Sequence, residues 1–224
     1  MIKLAISGYQ GKMGQRITAL AAEDKEFNIT AKIEMNDSIE AVKAADVLIE
    51  FTSPEATIEH LRACAKLSKS IVIGTTGLSE AQLSEIKLTA KAVPVVYSPN
   101  MSVGVNCLFG LVRSAAKKLG LDYEVNIVEA HHVHKKDSPS GTAKRLAQII
   151  KESSGREVKN INAIREGEII GDHRVIFESS VDKIELFHTA KTRDIFVLGA
   201  LRAAKFIVGK KPGLYSMEDV LGIK

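Results

Sequence analysis

Residues 129–143 read EAHHVHKKDSPSGTA and concentrate the side chains of this chain that could do acid–base chemistry. His131, His132 and His134 stand within four positions, and two lysines follow at once. Neighbouring positive charge disfavours the protonated form of an imidazole. The crowding therefore favours one of two interpretations, a solvated basic loop or a site that binds a negatively charged ligand.

A metal site is a third interpretation, because His131 and His134 could both be ligands. No carboxylate or cysteine completes an evident ligand set, and Lys135 would repel a cation. We therefore predict no metal site. Histidine titrates close to neutral pH, which suits a general acid, and the lysine offers positive charge to a carboxylate.

The SGT step comes just before apolar residues at helical spacing. Ser140, Gly141 and Thr142 are therefore expected at the start of a helix, whose free amides suit a second carboxylate. Gly141 also lets a ligand approach the backbone closely. Neighbours on a regular strand point to opposite faces, so His131 and His132 can share a pocket only if the strand ends or bulges there.

A glycine loop, SGYQGKMGQR, spans residues 7–16 between an apolar run and a helical pattern. Gly8, Gly11 and Gly14 could provide the tight turn, the approach to a pyrophosphate and the helix packing of a dinucleotide site. The spacing is G-x-x-G-x-x-G rather than G-x-G-x-x-G. Glu34 ends the second strand 20 residues after Gly14, where an acid can accept the ribose hydroxyls of NAD. The alternative is an ordinary turn with a solvated glutamate.

Three further loops of small residues follow strands, namely FTSPE (51–55), GTTG (74–77) and SPNMS (98–102). Ligands of open α/β sheets bind at the carboxyl ends of the strands. We predict that these loops share a crevice with the glycine loop.

Strands and helices alternate through the first hundred residues. Apolar runs such as DVLIEFT (46–52) and SIVIGTT (70–76) alternate with helical patterns, among them Lys12–Glu23 and a helix with Ser79 as its N-cap. The pattern is typical of a Rossmann-like α/β domain, in which a parallel sheet carries helices on both faces.

The pattern changes after about residue 102. A strand at 123–132 and a helix at 142–152 precede three strand-like runs between about 158 and 190, with IIGD (169–172) as a hairpin turn signal. We interpret these runs as an antiparallel meander, within the open mixed or antiparallel sheet of a smaller α+β domain. The predicted domains are residues 1–102, to which residues 194–224 return, and residues 103–193.

Composition places the chain among ordinary globular proteins, with 45% hydrophobic and 26% charged residues. The net charge of +4 is spread along the chain and does not predict a nucleic-acid partner. Cys64 and Cys107 suggest no disulfide framework. The N-terminal apolar run is too short for a signal peptide, and no run approaches a membrane span. We expect a cytoplasmic protein without a membrane partner.

Together these segments resemble one family over nearly the whole chain. GYQGKMG, EFTSPEA, VIGTTG, PNMSVGVN, EAHHVHKKDSPSGTA and GLYSMEDVLG are similar to motifs of the 4-hydroxy-tetrahydrodipicolinate (dihydrodipicolinate) reductase family. The resemblance implies an NAD(P)H-dependent reduction in lysine and diaminopimelate synthesis. It also implies a homotetramer assembled through the open sheet of the second domain. Two features depart from the family: the stretch from Glu34 to Asp46 is short, and Glu50 stands where aspartate is common.

The resemblance also implies roles for individual residues. His131 is the expected catalytic acid and Lys135 assists it. The substrate is a cyclic imine dicarboxylate: hydride adds to a conjugated carbon, and the resulting enamine is protonated at the neighbouring carbon. The expected substrate-binding residues are His132, Ser140, Gly141 and Thr142. The expected cofactor-binding residues are Gly8, Tyr9, Gln10, Gly11, Lys12, Met13, Glu34, Gly74, Thr75, Thr76, Ser98, Pro99, Asn100 and Met101.

Cofactor choice depends on two opposed features. Glu34 accepts the ribose hydroxyls of NADH and repels a 2′-phosphate, and Met35 follows it where an arginine could have bound that phosphate. Lys12, inside the glycine loop, could reach a 2′-phosphate. We expect both NADH and NADPH to serve, with NADH modestly favoured.

Two other functions stay open. One is a dehydrogenase of the same architecture that acts on another small carboxylate, and the other is a nucleotide-sensing module without turnover. Arg193 is either a substrate contact or the partner of Asp194. His60, His173 and His188 stand alone in the sequence, and we interpret them as structural.

Overall fold

The computed structural model describes residues 1–223, which form two compact units. One unit comprises Met1–Val103 together with the chain from Asp194 onwards, and the other comprises Gly104–Arg193. The last long helix therefore belongs to the same unit as the N-terminal strands. Among the described residues, none of the helices combines the length and the apolar character needed to cross a bilayer.

The first unit is built on a six-stranded parallel sheet. Its strands are β1 (Ile2–Ser7), β2 (Phe27–Ile33), β3 (Val47–Glu50), β4 (Ser70–Ile73), β5 (Pro94–Tyr97) and β10 (Gly213–Tyr215). Their order in the sheet is β10-β5-β4-β3-β1-β2. The helices of this unit are α1 (Lys12–Glu23), α2 (Pro54–Lys66), α3 (Glu80–Thr89), α6 (Asp194–Ile207) and α7 (Met217–Leu221), with a 3-10 helix at Ile39–Ala44.

The inner strands β3, β4 and β5 are mainly apolar because helices cover both faces of the sheet. Leu4 and Ile6 of β1 lie in one core cluster with residues of α1 and α6, whereas Ala5 lies in a second cluster with residues of α2 and α3. Fully burying an aliphatic side chain of this size contributes about 1.5–3 kcal/mol. Ser79 and Gln82 form a capping box at the start of α3, which confirms the predicted N-cap.

The second unit is a four-stranded mixed sheet with two long helices. Its elements are α4 (Val103–Leu119), β6 (Glu124–His131), α5 (Gly141–Ser154), β7 (Asn160–Arg165), β8 (Asp172–Glu178) and β9 (Lys183–Thr189). The order is β7-β6-β8-β9, with β7 parallel to β6 and with β8 antiparallel to both β6 and β9. The predicted combination of a Rossmann-like sheet with a smaller mixed sheet is confirmed.

The antiparallel meander predicted for residues 158–190 is wrong. Because α5 connects β6 to β7 as a crossover, the two strands run parallel, and β8 pairs with the other edge of β6 instead of with β7. Only β8 and β9 form a hairpin, whose turn is held by hydrogen bonds between Ser179 and Asp182. The IIGD stretch is not a hairpin turn: it lies beside the end of β6, where Ile169 accepts a hydrogen bond from the His132 amide at 2.6 Å.

One face of this sheet packs against α4 and α5, where Val112 and Leu146 meet Ile127 and Phe177. The opposite face has a different character. The directly paired residues Val128, Asn162, Arg174 and Phe187 lie on it, and Phe187 is 53% exposed beneath the Arg174 guanidinium.

Candidate cofactor and substrate sites

The glycine loop joins β1 to α1 at the carboxyl edge of the first sheet. Gly8 has a φ of 70°, and a Cβ on Gly14 would lie 2.0 Å from the Gly8 carbonyl oxygen and 2.5 Å from the Tyr9 Cα. Helix α1 therefore lies directly on the loop, which only glycine at position 14 allows. Gly11 precedes α1 without a side-chain cap, so the helix N-terminus is suited to an anionic group.

Glu34 is drawn towards this loop by a backbone hydrogen bond. The Gln10 amide donates to Glu34 Oε1 at 2.6 Å. A cavity of about 360 Å³ opens beside the pair, and three of the predicted cofactor residues, Gly8, Gly11 and Glu34, line it. Residues of the 51–53 loop and His60 are also part of the lining. The structure thus brings the glycine loop, the acid after β2 and the loop after β3 together.

His60 stands alone in the sequence, but in the structure it belongs to a hydrogen-bond network. Its Nδ1 lies 2.5 Å from Oε2 of the fully buried Glu50 and 3.1 Å from the Ser7 hydroxyl. Thr52 also donates its hydroxyl to Glu50. An acid at the end of an apolar strand was a sign of this network, because a buried carboxylate requires donors. The network fixes the start of the 51–53 loop.

The loops after β3 and β4 support each other. A Cβ on Gly74 would lie 2.2 Å from the Phe51 ring, so glycine makes room for that ring. Thr75 Oγ1 accepts hydrogen bonds from the Thr52 amide at 3.2 Å and from the Thr57 hydroxyl at 2.9 Å. Thr76, in contrast, is exposed. Gly74 and Thr75 thus lie against the loop after β3, and none of the three predicted residues of the GTTG loop lines the cavity.

The SPNMS loop is closed by its own polar groups. Ser98 donates its hydroxyl to the Asn100 carbonyl at 2.7 Å, and Asn100 Oδ1 accepts from the Ser102 amide at 2.9 Å. Met101 is only 2% exposed and belongs to the core of the first unit. Its side chain is therefore committed to packing, and its predicted contact with a cofactor is restricted to the main chain. Pro99 follows Ser98 in the same loop.

The remaining predicted cofactor residues differ in exposure. Tyr9 and Met13 are half-buried and pack against the core, whereas Lys12 and Gln10 are exposed. The exposed charged side chain at position 12 is thus compatible with a phosphate contact, whereas Tyr9 and Met13 anchor the loop on the core.

In the second unit, β6 ends at His131 and His132 lies just outside it. Because the strand ends between these two residues, both rings can serve one pocket. His131 is 8% exposed, His132 is half-buried and His134 is exposed. Lys135 Nζ lies 2.8 Å from Asp137 Oδ1, which holds the lysine in the loop that follows the strand.

Glu129 is the main residue that the sequence interpretation missed. It is fully buried, and its carboxylate accepts from His131 Nδ1 and from both terminal nitrogens of Arg165, at 2.9 and 3.1 Å. Its position in the alternation of Val125, Ile127 and His131 was a usable sign, because an acid at an inward strand position requires partners. No such sign marked Arg165, which is placed by the β6–β7 register.

His173 and His188 also stand alone in the sequence but lie close to other histidines in the structure. The His173 ring makes an edge contact with His131, with centroids 5.1 Å apart, and lies 6.5 Å from the His188 ring. Burial lowers the pKa of His173 to about 3, aided by the charge of neighbouring histidines. His173 is therefore a neutral wall of the site rather than an acid.

The pKa of His131 is also lowered, but by causes that act in opposite directions. Burial is the largest cause and disfavours the charged ring, Glu129 opposes it, and Lys135 and Arg165 act with it. The surrounding protein therefore makes His131 less basic than a free imidazole. Negative charge from a ligand would reverse this effect.

The SGT step starts α5 as predicted. Ser140 is the N-cap, accepting from the Ala143 amide at 3.2 Å, while its own amide donates to Glu129 Oε1 at 3.2 Å. A Cβ on Gly141 would meet nothing within 4 Å, so the space beside it is open. Thr142 follows in the first turn and is half-buried. The second unit thus brings His131, Ser140 and Glu129 together, with Gly141 at an open position.

Comparison with known proteins decides the family. Residues 2–101 match the family model described as dihydrodipicolinate reductase, N-terminus, and residues 104–221 match the model of its C-terminus. The chain belongs to the dihydrodipicolinate reductase family. Among the relatives of this reductase family, the 4-hydroxy-tetrahydrodipicolinate reductases of Geotalea daltonii and Syntrophotalea carbinolica are each 39% identical over 267 residues, with all of both chains covered.

The alignments are longer than this 224-residue chain, so those reductases carry segments without a counterpart here. Among solved structures, a dipicolinate-bound dihydrodipicolinate reductase from Paenisporosarcina sp. TG-14 matches with a TM-score of 0.84 at 22% identity, covering 96% of this chain and 97% of that one. An aspartate dehydrogenase from Thermotoga maritima matches with a TM-score of 0.53 at 15% identity, covering 94% and 98%. These structural matches establish the shared fold.

Proposed function

We propose that the chain reduces 4-hydroxy-tetrahydrodipicolinate to tetrahydrodipicolinate in diaminopimelate and lysine synthesis, with NADH or NADPH as reductant. Its membership of the reductase family over the full length supports this function. The observation that carries it is the buried His131, hydrogen-bonded to Glu129 in the unit that also presents the N-terminus of α5. A cytoplasmic location is part of the same proposal.

The two units divide the binding tasks in this proposal. The first unit, with its glycine loop and Glu34, binds the pyridine nucleotide, and the second unit binds the substrate. The reduced nicotinamide supplies the hydride when bound. The 4-hydroxyl first leaves as water with a hydrogen from the neighbouring ring carbon, which makes the imine conjugated. Hydride then adds to the carbon that lost the hydroxyl, and His131, holding a proton at Nε2, delivers it to the neighbouring carbon.

A dianionic substrate completes the electrostatics of this site. Lys135 and Arg165 both lower the pKa of His131. Two carboxylates bring negative charge that favours the imidazolium, so the ring becomes an effective acid when substrate is present. Lys135 and the first amides of α5 are the proposed carboxylate partners. The dipicolinate-bound relative supports a small dicarboxylate as ligand.

The direct test mixes the purified protein with freshly made product of the synthase that supplies this substrate. We expect substrate-dependent loss of NADH or NADPH absorbance. A dehydrogenase for another carboxylate, such as an amino acid, would instead leave this substrate unreduced and oxidise its own with NAD(P). A nucleotide sensor would bind the cofactor without any turnover.

We infer that NADH is modestly preferred over NADPH. Glu34 is oriented by the Gln10 amide, and its charge suits two ribose hydroxyls and repels a 2′-phosphate. Met35, beside it, is 92% exposed and offers no donor. The segment between β2 and β3 contains only the 3-10 helix, so this side of the cofactor site is open, and Lys12 is exposed in the loop to attract a phosphate.

Replacing Glu34 with glutamine is expected to shift the ratio of kcat/KM for NADH over NADPH about tenfold towards NADPH. The change removes the repulsion and one charged acceptor, and a charged hydrogen bond is worth about 1.5–3 kcal/mol. Lys12→Ala should change the ratio in the opposite direction, because it should weaken the binding of NADPH more than that of NADH. A wild type that prefers NADPH about tenfold, together with an unmoved ratio in Glu34→Gln, would show that Glu34 is not the selector.

We also propose a homotetramer, with the open face of the second sheet as the contact. Phe187, Val128 and Ile176 on that face lack a helix of their own unit over them, and an uncovered sheet face is commonly paired between subunits.

Light scattering at micromolar concentration is expected to give four times the monomer mass. Phe187→Asp should lower that mass, because it puts a charge into the proposed contact. Leu88→Asp, at an exposed position of α3 in the first unit, should not. A wild type of monomer mass would refute the assembly.

A further inference from the structure

Glu129 carries a charge inside the second unit that the proposed reaction has not yet used. Its side chain is fully buried, and isolated buried carboxylates are costly. Burial on its own raises the pKa of Glu129, but hydrogen bonds from Arg165, His131 and the Ser140 amide together hold it below its ordinary value. The group is therefore an ionised carboxylate in the folded protein.

The sheet register creates this arrangement. Glu129 and His131 are two positions apart on β6 and so point to the same face. Arg165 is the register partner of His131 on β7, and His173 is that of Glu129 on β8. The Arg165 guanidinium is further fixed by the carbonyl oxygens of residues 164 and 137, at 2.7 and 2.6 Å. The carboxylate therefore has little freedom to move away from His131.

The contact determines which nitrogen of His131 can exchange a proton with a ligand. An ionised carboxylate only accepts hydrogen bonds, so Nδ1 must carry a hydrogen. Nε2 lies beside Gly171, where a Cβ would approach it to 3.2 Å. No hydrogen bond to Nε2 is found within residues 1–223. The exchangeable atom is thus Nε2, next to space that Gly171 leaves unfilled.

Given the reductase function above, on which this inference rests, we propose that Glu129, clamped by Arg165, is a positioning residue for the proton transfer. It fixes His131 with Nδ1–H directed into the protein and Nε2 directed to the substrate, and it stabilises the imidazolium before transfer. During the step the Nε2–H bond breaks and a carbon–hydrogen bond forms with the enamine electron pair. The ring is left neutral with its hydrogen on Nδ1, still bonded to Glu129.

Glu129→Gln tests this role. The amide can donate to Nδ1 and so permits the wrong tautomer, and it removes the stabilising charge. We expect kcat to fall roughly 10- to 10³-fold, with little change in cofactor KM. The control is Glu124→Gln, which removes one carboxylate at the other end of the same strand. Glu124 is exposed and paired only with Lys159 among the described contacts, and such surface pairs contribute little.

The pH profile separates positioning from a merely structural role. The acid must be protonated, so activity is present below the pKa of His131 and is lost above it. The charged or titratable groups that face the ring are Glu129, Arg165, His173 and Lys135. Glu129 is the negative group among them, and its removal lowers the pKa of His131. The loss of kcat at alkaline pH, which is the alkaline limb of the profile, should therefore set in at a lower pH in Glu129→Gln than in wild type. An unmoved limb with kcat within about twofold of wild type would overturn the proposal.

Nitrogen-15 NMR of histidine-labelled protein provides a readout that needs no turnover. Wild type is expected to show the neutral Nδ1–H form of His131, and Glu129→Gln a mixture of tautomers. An Nε2–H form in wild type refutes the proposal. If wild type reduces no substrate, the proposed function fails while this measurement still decides the tautomer. If the unpaired charge of the partly buried Arg165 destabilises Glu129→Gln, the double variant Glu129→Gln/Arg165→Met restores a neutral pair. The double variant should show the same move of the alkaline limb and the same mixture of tautomers.

Discussion

His131→Gln is expected to lower kcat by about 10²–10⁴-fold, the usual contribution of a positioned general acid. Glutamine keeps a polar group near the same size but cannot supply a proton at neutral pH. Because His131 lies in the second unit and the proposed nucleotide residues lie in the first, cofactor affinity should stay near the wild-type value. Steady-state rates and a fluorescence titration with NADH measure the two quantities.

The matched control is His134→Gln. His134 is three residues further along, exposed, and only 3.9 Å from the equally exposed Glu168, so its removal should leave kcat near wild type. If His131→Gln kept wild-type turnover, His131 would have no part in the reaction. Equal losses in both variants would instead indicate a general effect of changing this segment.

Lys135→Ala is expected to lower kcat/KM about 10- to 100-fold. A charged hydrogen bond to a carboxylate is worth about 1.5–3 kcal/mol, and each 1.4 kcal/mol corresponds to about a factor of ten. The loss should include a higher substrate KM. Pyridine-2,6-dicarboxylate should inhibit the wild type in competition with substrate and should inhibit Lys135→Ala less strongly.

Stability should change little in this variant. The ion-pair partner of Lys135 is Asp137, which is exposed, so water can replace the lost contact. Lys136→Ala removes the same charge from the next, exposed position and is the control. Equal inhibition of wild type and Lys135→Ala by the dicarboxylate would show that Lys135 does not contact a carboxylate.

Local features of the chain were predictable because local interactions decide them. Helix α1 spans Lys12–Glu23 as expected, since an amphipathic pattern follows directly on a glycine loop. Gly14 was assigned to close packing of helix and strand, and a Cβ there would indeed collide with the Gly8 carbonyl. Ser79 and Ser140 both cap helices. The family motifs over the whole length were also present in the sequence alone.

Strand neighbours were less predictable, because pairing depends on distant segments. The runs between residues 158 and 190 were correctly interpreted as strands, yet a strand pattern does not state which edge it occupies. The crossover through α5 places β7 parallel to β6, and this leaves the other edge of β6 to β8. The predicted antiparallel meander was wrong because β7 pairs with β6 and not with β8.

The amino-acid sequence alone was enough to predict the fold class, the glycine loop between β1 and α1, and the cluster of histidines and lysine that could act on an anionic substrate. Only the tertiary structure decided how the key histidine is held. Glu129 was visible as an inward acid, but Arg165 and His173 reach it from other strands, 36 and 44 residues further along the chain. Their meeting follows from hydrogen-bond register across three strands, which no periodicity within one segment encodes.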